Sequence, residues 1–140
     1  MPKRDGLYKR VTDFFQEVWN NHNDEALARY LHPELVQYGL VENEPDGLNF
    51  DQYATLRKNF LAAFPDAKFT IEHLMVEGNR IAVRYKVAGT HTGHGFGWTP
   101  SNRKIRLTAM AIAVWKGDRM IEVWNNFDHL AMMRQIGMTR

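Results

Sequence analysis

The sequence contains no cysteine. Disulfides, thiolate catalysis and cysteine-based zinc sites are therefore excluded. No apolar run approaches the ~20 residues of a membrane span. The opening Met1-Pro-Lys-Arg-Asp-Gly leads into an amphipathic stretch rather than an apolar one, so no signal peptide or membrane partner is expected and the expected location is cytoplasmic. Charge is nearly balanced: 18 Lys and Arg against 16 Asp and Glu leave +2. The basic residues gather locally only at Lys3, Arg4, Lys9 and Arg10, and again at Arg103, Lys104 and Arg106. No one-signed stripe forms, so nucleic acid is not an expected partner. There are six histidines, but no His-x-x-x-His or Glu-x-x-His pair. His91 and His94 lie three apart on a strand-to-loop segment, so no metal site is expected. Repeats, low-complexity tracts and linkers are also missing, and residues 1–140 read as a single domain with room for a real core.

What is present begins with helical periodicity. Tyr8, Val11, Phe15, Val18 and Trp19 predict an amphipathic helix over residues 5–22. A short second helix carries Ala26, Leu27, Tyr30 and Leu31, with Asp24 as its N-cap. His32-Pro33 ends it. Residues 34–40 read as a strand and 41–49 as a loop. A third helix over 51–64 places Tyr53, Leu56, Phe60, Leu61 and Phe64 on one side before Pro65. The period then becomes two. Phe69, Ile71, His73 and Met75 share one strand face, Gly78-Asn79 turns the chain, and Ile81, Val83, Tyr85, Val87 and His91 share the next. A glycine-rich loop spans 93–102, a long strand 103–115, and a last strand runs from 119 into a short C-terminal helix. Helices first and a strand meander after predict an α+β fold: a curved antiparallel sheet wrapped around the N-terminal helices.

Candidate functional residues follow from the same alternation. Met120, Glu122, Trp124, Asn126 and Asp128 share a face if no bulge intervenes, and an aromatic, an amide and a carboxylate in line resemble a pocket wall. An acid beside Trp in a partly dry pocket can titrate near neutrality and shuttle protons; Asp128 can equally be the N-cap of the last helix. His91 continues an inward apolar face. Phe96 and Trp98 among glycines suggest a flap over an apolar opening, with a dimer contact as the alternative. Tyr38 can donate to a carbonyl oxygen. In the long strand, Leu107, Ala109, Ala111, Ala113 and Trp115 face one way, and Met110, Ile112 and Val114 face the other. Helices cover only one side, so a homodimer through the sheet is expected.

Several segments, taken in order, resemble the SnoaL-like polyketide cyclase group, within the cone-shaped α+β fold of nuclear transport factor 2 and ketosteroid isomerase. They are Phe64-Pro65-Asp66, Glu77-Gly78-Asn79-Arg80, Gly89-Thr90-His91-Thr92-Gly93, the stretch 117–124, Asp128 and Gln135-Ile136-Gly137. The resemblance implies a cone-shaped barrel with an internal cavity, an acid–base aspartate at Asp128, a cavity-lining histidine at His91, and aldol ring closure without metal or organic cofactor. Two departures stand out. Tyr38 occupies a place where many members carry histidine, and Pro100-Ser101-Asn102 replaces the usual Pro-Thr-Gly. The resulting expectation is a cofactor-independent acid–base enzyme acting on a small apolar or polyaromatic carbonyl compound. Asp128 and His91 would be its catalytic residues, and Trp124, Tyr38, Phe96, Trp98 and Phe60 its substrate contacts. The alternative is a non-catalytic binding protein with the same cavity.

Overall fold

A computed structural model describes residues 4–138. Helix α1 (Arg4–Phe14) continues into a wider π-helical segment, Phe15–Asn20. A single 3-10 turn and the short α2 (Leu27–Tyr30) lead into β1 (Leu31–Tyr38). Helix α3 (Phe50–Ala63) starts at a capping box, in which Asn49 and Gln52 each bond the other's backbone N–H. Strands β2 (Lys68–Glu77), β3 (Arg80–Thr90), β4 (Lys104–Lys116) and β5 (Arg119–Phe127) then form a meander, and α4 (His129–Gln135) closes the described chain.

The fold is α+β, with a curved five-stranded sheet in the order β1-β5-β4-β3-β2 and the helices on its concave side. Two points correct the expected architecture. The sheet is mixed, because β1 runs parallel to β5, and it is not closed into a barrel. The parallel pairing follows from the route: β1 leads into α3, which carries the chain across to the far edge, and the meander returns to β1 strand by strand.

Two bulges also move side chains to the face opposite the one expected. Ile71 pairs with Tyr85 but His73 with Arg84, so Glu72 is the extra residue in β2. Beyond it Leu74 and Val76 turn inward, and His73 and Met75 point outward. In β5, Val114 pairs with Glu122 but Trp115 with Met120, so Ile121 is extra. Met120 and Val123 are buried, whereas Trp124 is 40% exposed. The face shared by Glu122, Trp124 and Asn126 is therefore the outer one, opposite Met110, Ile112 and Val114.

An apolar row runs across that outer face. Met75, Ala82, Ile112, Trp124 and Tyr38 are successive register partners on all five strands. Met75, Met110 and Ile112 are 64%, 51% and 47% exposed. Charged pairs border the row, including Arg84 and Lys86 on Glu72.

The glycine-rich loop is docked at its base. A Cβ built on Gly93 would lie 1.7 Å from the Ala62 carbonyl oxygen, and one on Gly95 1.8 Å from that of Asn59. The Gly93 N–H donates to the Ala63 carbonyl at 3.1 Å. These contacts fix the loop to the C-terminal turns of α3. Gly93→Ala should therefore destabilise the fold by more than about 2 kcal/mol, the scale of overpacking against an element that cannot yield. Gly97, with φ +74° and open space around it, should cost only about 1–2 kcal/mol on the same change. Chemical denaturation of the two variants tests this, and equal costs would refute the docking.

Candidate active site

Small residues on the central strand create the space. Ala111 and Ala113 face the helices from β4, where Val or Ile would fill the interior. Between them and the helices lies a cavity of about 910 Å³. A space of this size is that of a small-molecule site rather than of a packing defect. The space is suited to a guest. Its walls are mainly aromatic: Phe15 and Trp19 from the π-helical segment, Phe60 from α3, Phe69 and Tyr85 from the sheet. The π segment matters here. Its wider turn is held by Asn20, whose amide accepts from the Phe69 N–H at 2.7 Å and donates to the Phe69 carbonyl at 3.0 Å. Arg57, only 2% exposed, donates to the Val18 carbonyl at 2.9 Å and to exposed Asp24 at 2.6 Å. The exposed wall residues, Val41, Glu42, Glu44 and His129, mark the mouth between the loop after β1 and the start of α4.

Few polar groups reach this interior. Tyr53 accepts from Trp19 Nε1 at 3.2 Å, which leaves its own O–H free to donate. Tyr85, packed on Phe15 and Phe69, has no hydrogen-bond partner for its hydroxyl among the described residues. Burial pushes both phenols above the ordinary tyrosine range, so both stay protonated donors. On the β1–β5 side stand Gln37 and Asn125, joined by a hydrogen bond of 2.8 Å.

Of the expected substrate contacts, Phe60, Phe96 and Trp98 line the cavity, and Tyr38 borders it from the end of β1 with its ring on the outer face. Phe96 and Trp98 pack together at 4.7 Å, Phe96 in a left-handed conformation at φ +62°. A bulky side chain there is strained and persists only where its surroundings impose it. Trp124 does not reach the cavity. The Ile121 bulge turns it outward, where its ring stacks on Tyr38 at 5.8 Å; this corrects the expected pocket wall.

His91 is fully buried, as its inward parity predicts, but it stands behind the wall, 6.1 Å from the Trp98 ring and 5.3 Å from Phe64. The Ser101 N–H donates to its Nδ1 at 3.2 Å, so the neutral ring carries its proton on Nε2, which is buried without a partner among the described residues. Asp128 is exposed and caps α4: its Oδ1 accepts the Ala131 N–H at 3.1 Å. It borders a shallow depression with Arg84, Thr108 and Met110, while its neighbours Phe127 and His129 line the main cavity. The structure thus does not bring Asp128 and His91 together on the cavity wall. Among the described residues no cluster of His, Asp and Glu could hold a metal, and no helix is long and apolar enough to cross a membrane.

A family model for SnoaL-like polyketide cyclases matches residues 9–136. The chain belongs to that family. Solved structures of similar shape include TsrD from Streptomyces laurentii, at 21% identity and TM-score 0.84 over 99% of this chain and 100% of that one. A candidate polyketide cyclase from Acidithiobacillus ferrooxidans is 25% identical, with TM-score 0.79 over all of both chains. IdmH from Streptomyces antibioticus is 23% identical, with TM-score 0.79 over 93% and 97%. None of the curated proteins compared matches the sequence.

Two of the SnoaL-like segments act as clamps in this chain, through Asp66 and Gln135. Asp66 accepts both the Thr90 N–H at 2.7 Å and its hydroxyl at 2.9 Å. Gln135 holds the Arg106 N–H and C=O at 2.7 and 3.0 Å, which seats α4 on β4. Gln37, Tyr53, Tyr85 and Asn125 were missed as site residues. The repeated alanines of β4 were the available signal that a cavity faces them.

Burial, and secondarily the charge of His94, holds the His91 pKa below its ordinary value of 6.5. The unfolded chain therefore takes up this proton first. The associated stability is fully present above about pH 6.5 and is lost as pH falls through the lower folded value. The wild-type melting temperature should drop more between pH 7.5 and 5.0 than that of His91→Gln. Parallel pH curves for the two proteins would refute the linkage.

Proposed function

We propose that the protein is a cofactor-independent acid–base enzyme of the polyketide cyclase type. It would catalyse aldol ring closure, or a related isomerase or hydrolase step, on a small apolar carbonyl compound. The observation that carries this reading is the aromatic-walled cavity of about 910 Å³ in a SnoaL-like chain. It has the size and sparse polarity of a small-molecule site. The chemistry asks little of the protein. A methylene between two carbonyls is already acidic, and holding the reacting ends together supplies much of the barrier reduction. The neutral phenols of Tyr53 and Tyr85 offer O–H donors to a carbonyl oxygen as it gains charge. We assign proton transfer to Asp128. It lies between two wall residues, and its Oδ2 is unused among the described residues.

A second reading is a non-catalytic binder of the same ligand. It is favoured by the cap that Asp128 forms and by the absence of both Asp128 and His91 from the residues that line the cavity. Asp128→Asn separates the two. With a poly-β-carbonyl compound bearing a free active methylene, the enzyme reading expects a loss of about 10²–10⁴ in rate. Stability should barely change, because Asn caps a helix about as well as Asp. A wild-type rate in this variant would remove Asp128 from the mechanism. A wild type that binds but never turns over would leave the binder.

The outer apolar row is assigned to pairing of two copies through the sheet, since isolated patches of this kind are rarely left open. Sedimentation should give about twice 16.3 kDa for the wild type, and Ile112→Asp should shift it toward the monomer. A wild-type monomer at micromolar concentration would refute the pairing.

A further inference from the structure

The amide pair on the cavity wall has one fixed orientation. Asn125 Nδ2 donates to the Tyr38 carbonyl at 2.9 Å, and a backbone carbonyl can only accept. The nitrogen of Asn125 must therefore face Tyr38. The same nitrogen donates to Gln37 at 2.8 Å, so the Gln37 atom there must be its oxygen. The opposite flip at either residue would oppose two acceptors or two donors. Both hydrogens of Asn125 are thereby used. Gln37 Nε2 remains as an unused donor and Asn125 Oδ1 as an unused acceptor among the described residues.

These atoms sit in a place where unused polarity is costly. Gln37 is 97% buried, with 3% of its surface exposed, and both residues line the cavity. Neither atom is sealed into protein packing, unlike Arg57 Nη2 or His91 Nε2; for Gln37 the open space it meets is the cavity. The pair is also rigid. The Gln37 backbone exchanges both its hydrogen bonds with Leu48 at 2.8 Å. Asn125 lies under Gly39, where any Cβ would strike the Asn125 carbonyl oxygen at 2.1 Å. A side chain needed only to join β1 to β5 could be apolar; a buried donor at Gln37, beside the half-buried acceptor of Asn125 and facing the same cavity, calls for a guest that supplies its partner.

We propose that Gln37 and Asn125 are specificity-determining residues that bind a neutral ligand carrying a carbonyl acceptor next to an N–H or O–H donor. The carbonyl takes the Gln37 Nε2 hydrogen, and the ligand's donor points to Asn125 Oδ1. A lactam or the enol form of a 1,3-diketone has this edge. The inference rests on the cavity being the ligand site, as the proposed function requires.

Three bicyclic probes of nearly one shape test it: 3,4-dihydro-2(1H)-quinolinone, with carbonyl and N–H adjacent, 1-tetralone, with the carbonyl alone, and tetralin, with neither. Binding is followed by the fluorescence of Trp19 and Trp98. The wild type should bind the lactam about tenfold or more tighter than tetralin, with the ketone between, as expected when buried polar groups are satisfied or left unpaired. Gln37→Met should erase that preference, so that lactam and tetralin bind with about equal affinity. Should Gln37→Met fail to fold, 3,4-dihydrocoumarin, which has the shape of the lactam with a ring oxygen in place of its N–H, should bind the wild type about tenfold more weakly than the lactam, and equal affinities would overturn the assignment. Equal wild-type affinity for lactam and tetralin, or a preference that survives in a folded Gln37 variant, would overturn the assignment and leave the pair a strand clamp. If none of the three bound, the cavity itself would fail as a ligand site, and this assignment would fall with it.

Discussion

An interior left open forfeits the packing that holds other domains together, so the elements around it must be fixed at their rims. In this chain the fixing is done by polar side chains that latch onto backbone. Asn20 takes both backbone groups of Phe69 and ties the π-helical end of α1 to β2. Gln135 takes both groups of Arg106 and ties α4 to β4. Asp66 seizes Thr90, and Gly93 and Gly95 press the loop onto α3. Each bond is worth only about 1 kcal/mol net, but together they tie down the elements that supply the cavity wall, Phe69 of β2, Phe96 and Trp98 of the loop and Met132 of α4 among them. The apolar contacts that would otherwise do this work are missing where Ala111 and Ala113 leave space.

The latches also explain which parts of the sequence could be read. Elements whose pattern is local were legible. The third helix announces itself through Tyr53, Leu56, Phe60 and Phe64, and Gly78-Asn79 marks a hairpin that forms where expected. Strand faces were legible only up to the first irregularity. Period-two counting has no way to sense an extra residue, so Glu72 and Ile121 each inverted the remainder of their strand. Unbroken alternation puts Trp124 on the pocket face, and the extra Ile121 turns it outward. Nor can helical periodicity distinguish a π turn from an α turn, because Phe15 and Trp19 fit either; Asn20 and Arg57, far apart in sequence from Phe69 and Val18, decide it. The parallel placement of β1 depends on the whole route of the chain and has no local sign.

The site divides in the same manner. Aromatic wall residues such as Phe60 and Trp98 were recoverable, since large apolar side chains on an inward face line whatever is there. His91 was recoverable as buried but not as a wall residue, because the loop carrying Trp98 folds in front of it. Gln37 and Asn125 carried no sequence signal. An amide on a strand is ordinary, and its meaning comes only from the partner 88 positions away.

The polarity of the cavity constrains the chemistry it can host. Its deep polar groups are phenols kept protonated by burial and carboxamides that cannot ionise. A carboxylate among Phe15, Trp19, Phe69 and Tyr85 would lose its hydration with nothing to replace it, at a cost of several kcal/mol. Any acid–base carboxylate compatible with such walls must therefore stand at the rim, where solvent or a helix N-terminus supports its charge. The first turn of α4 is such a place, beside Phe127 and His129. The proposed division of labour follows from this constraint. The interior would orient a neutral substrate and stabilise developing charge on its oxygen through neutral donors. On that proposal the proton would be exchanged at the mouth, and the reacting carbon of a substrate would be held near α4 while its oxygens lie deeper, toward the tyrosines and the amide pair.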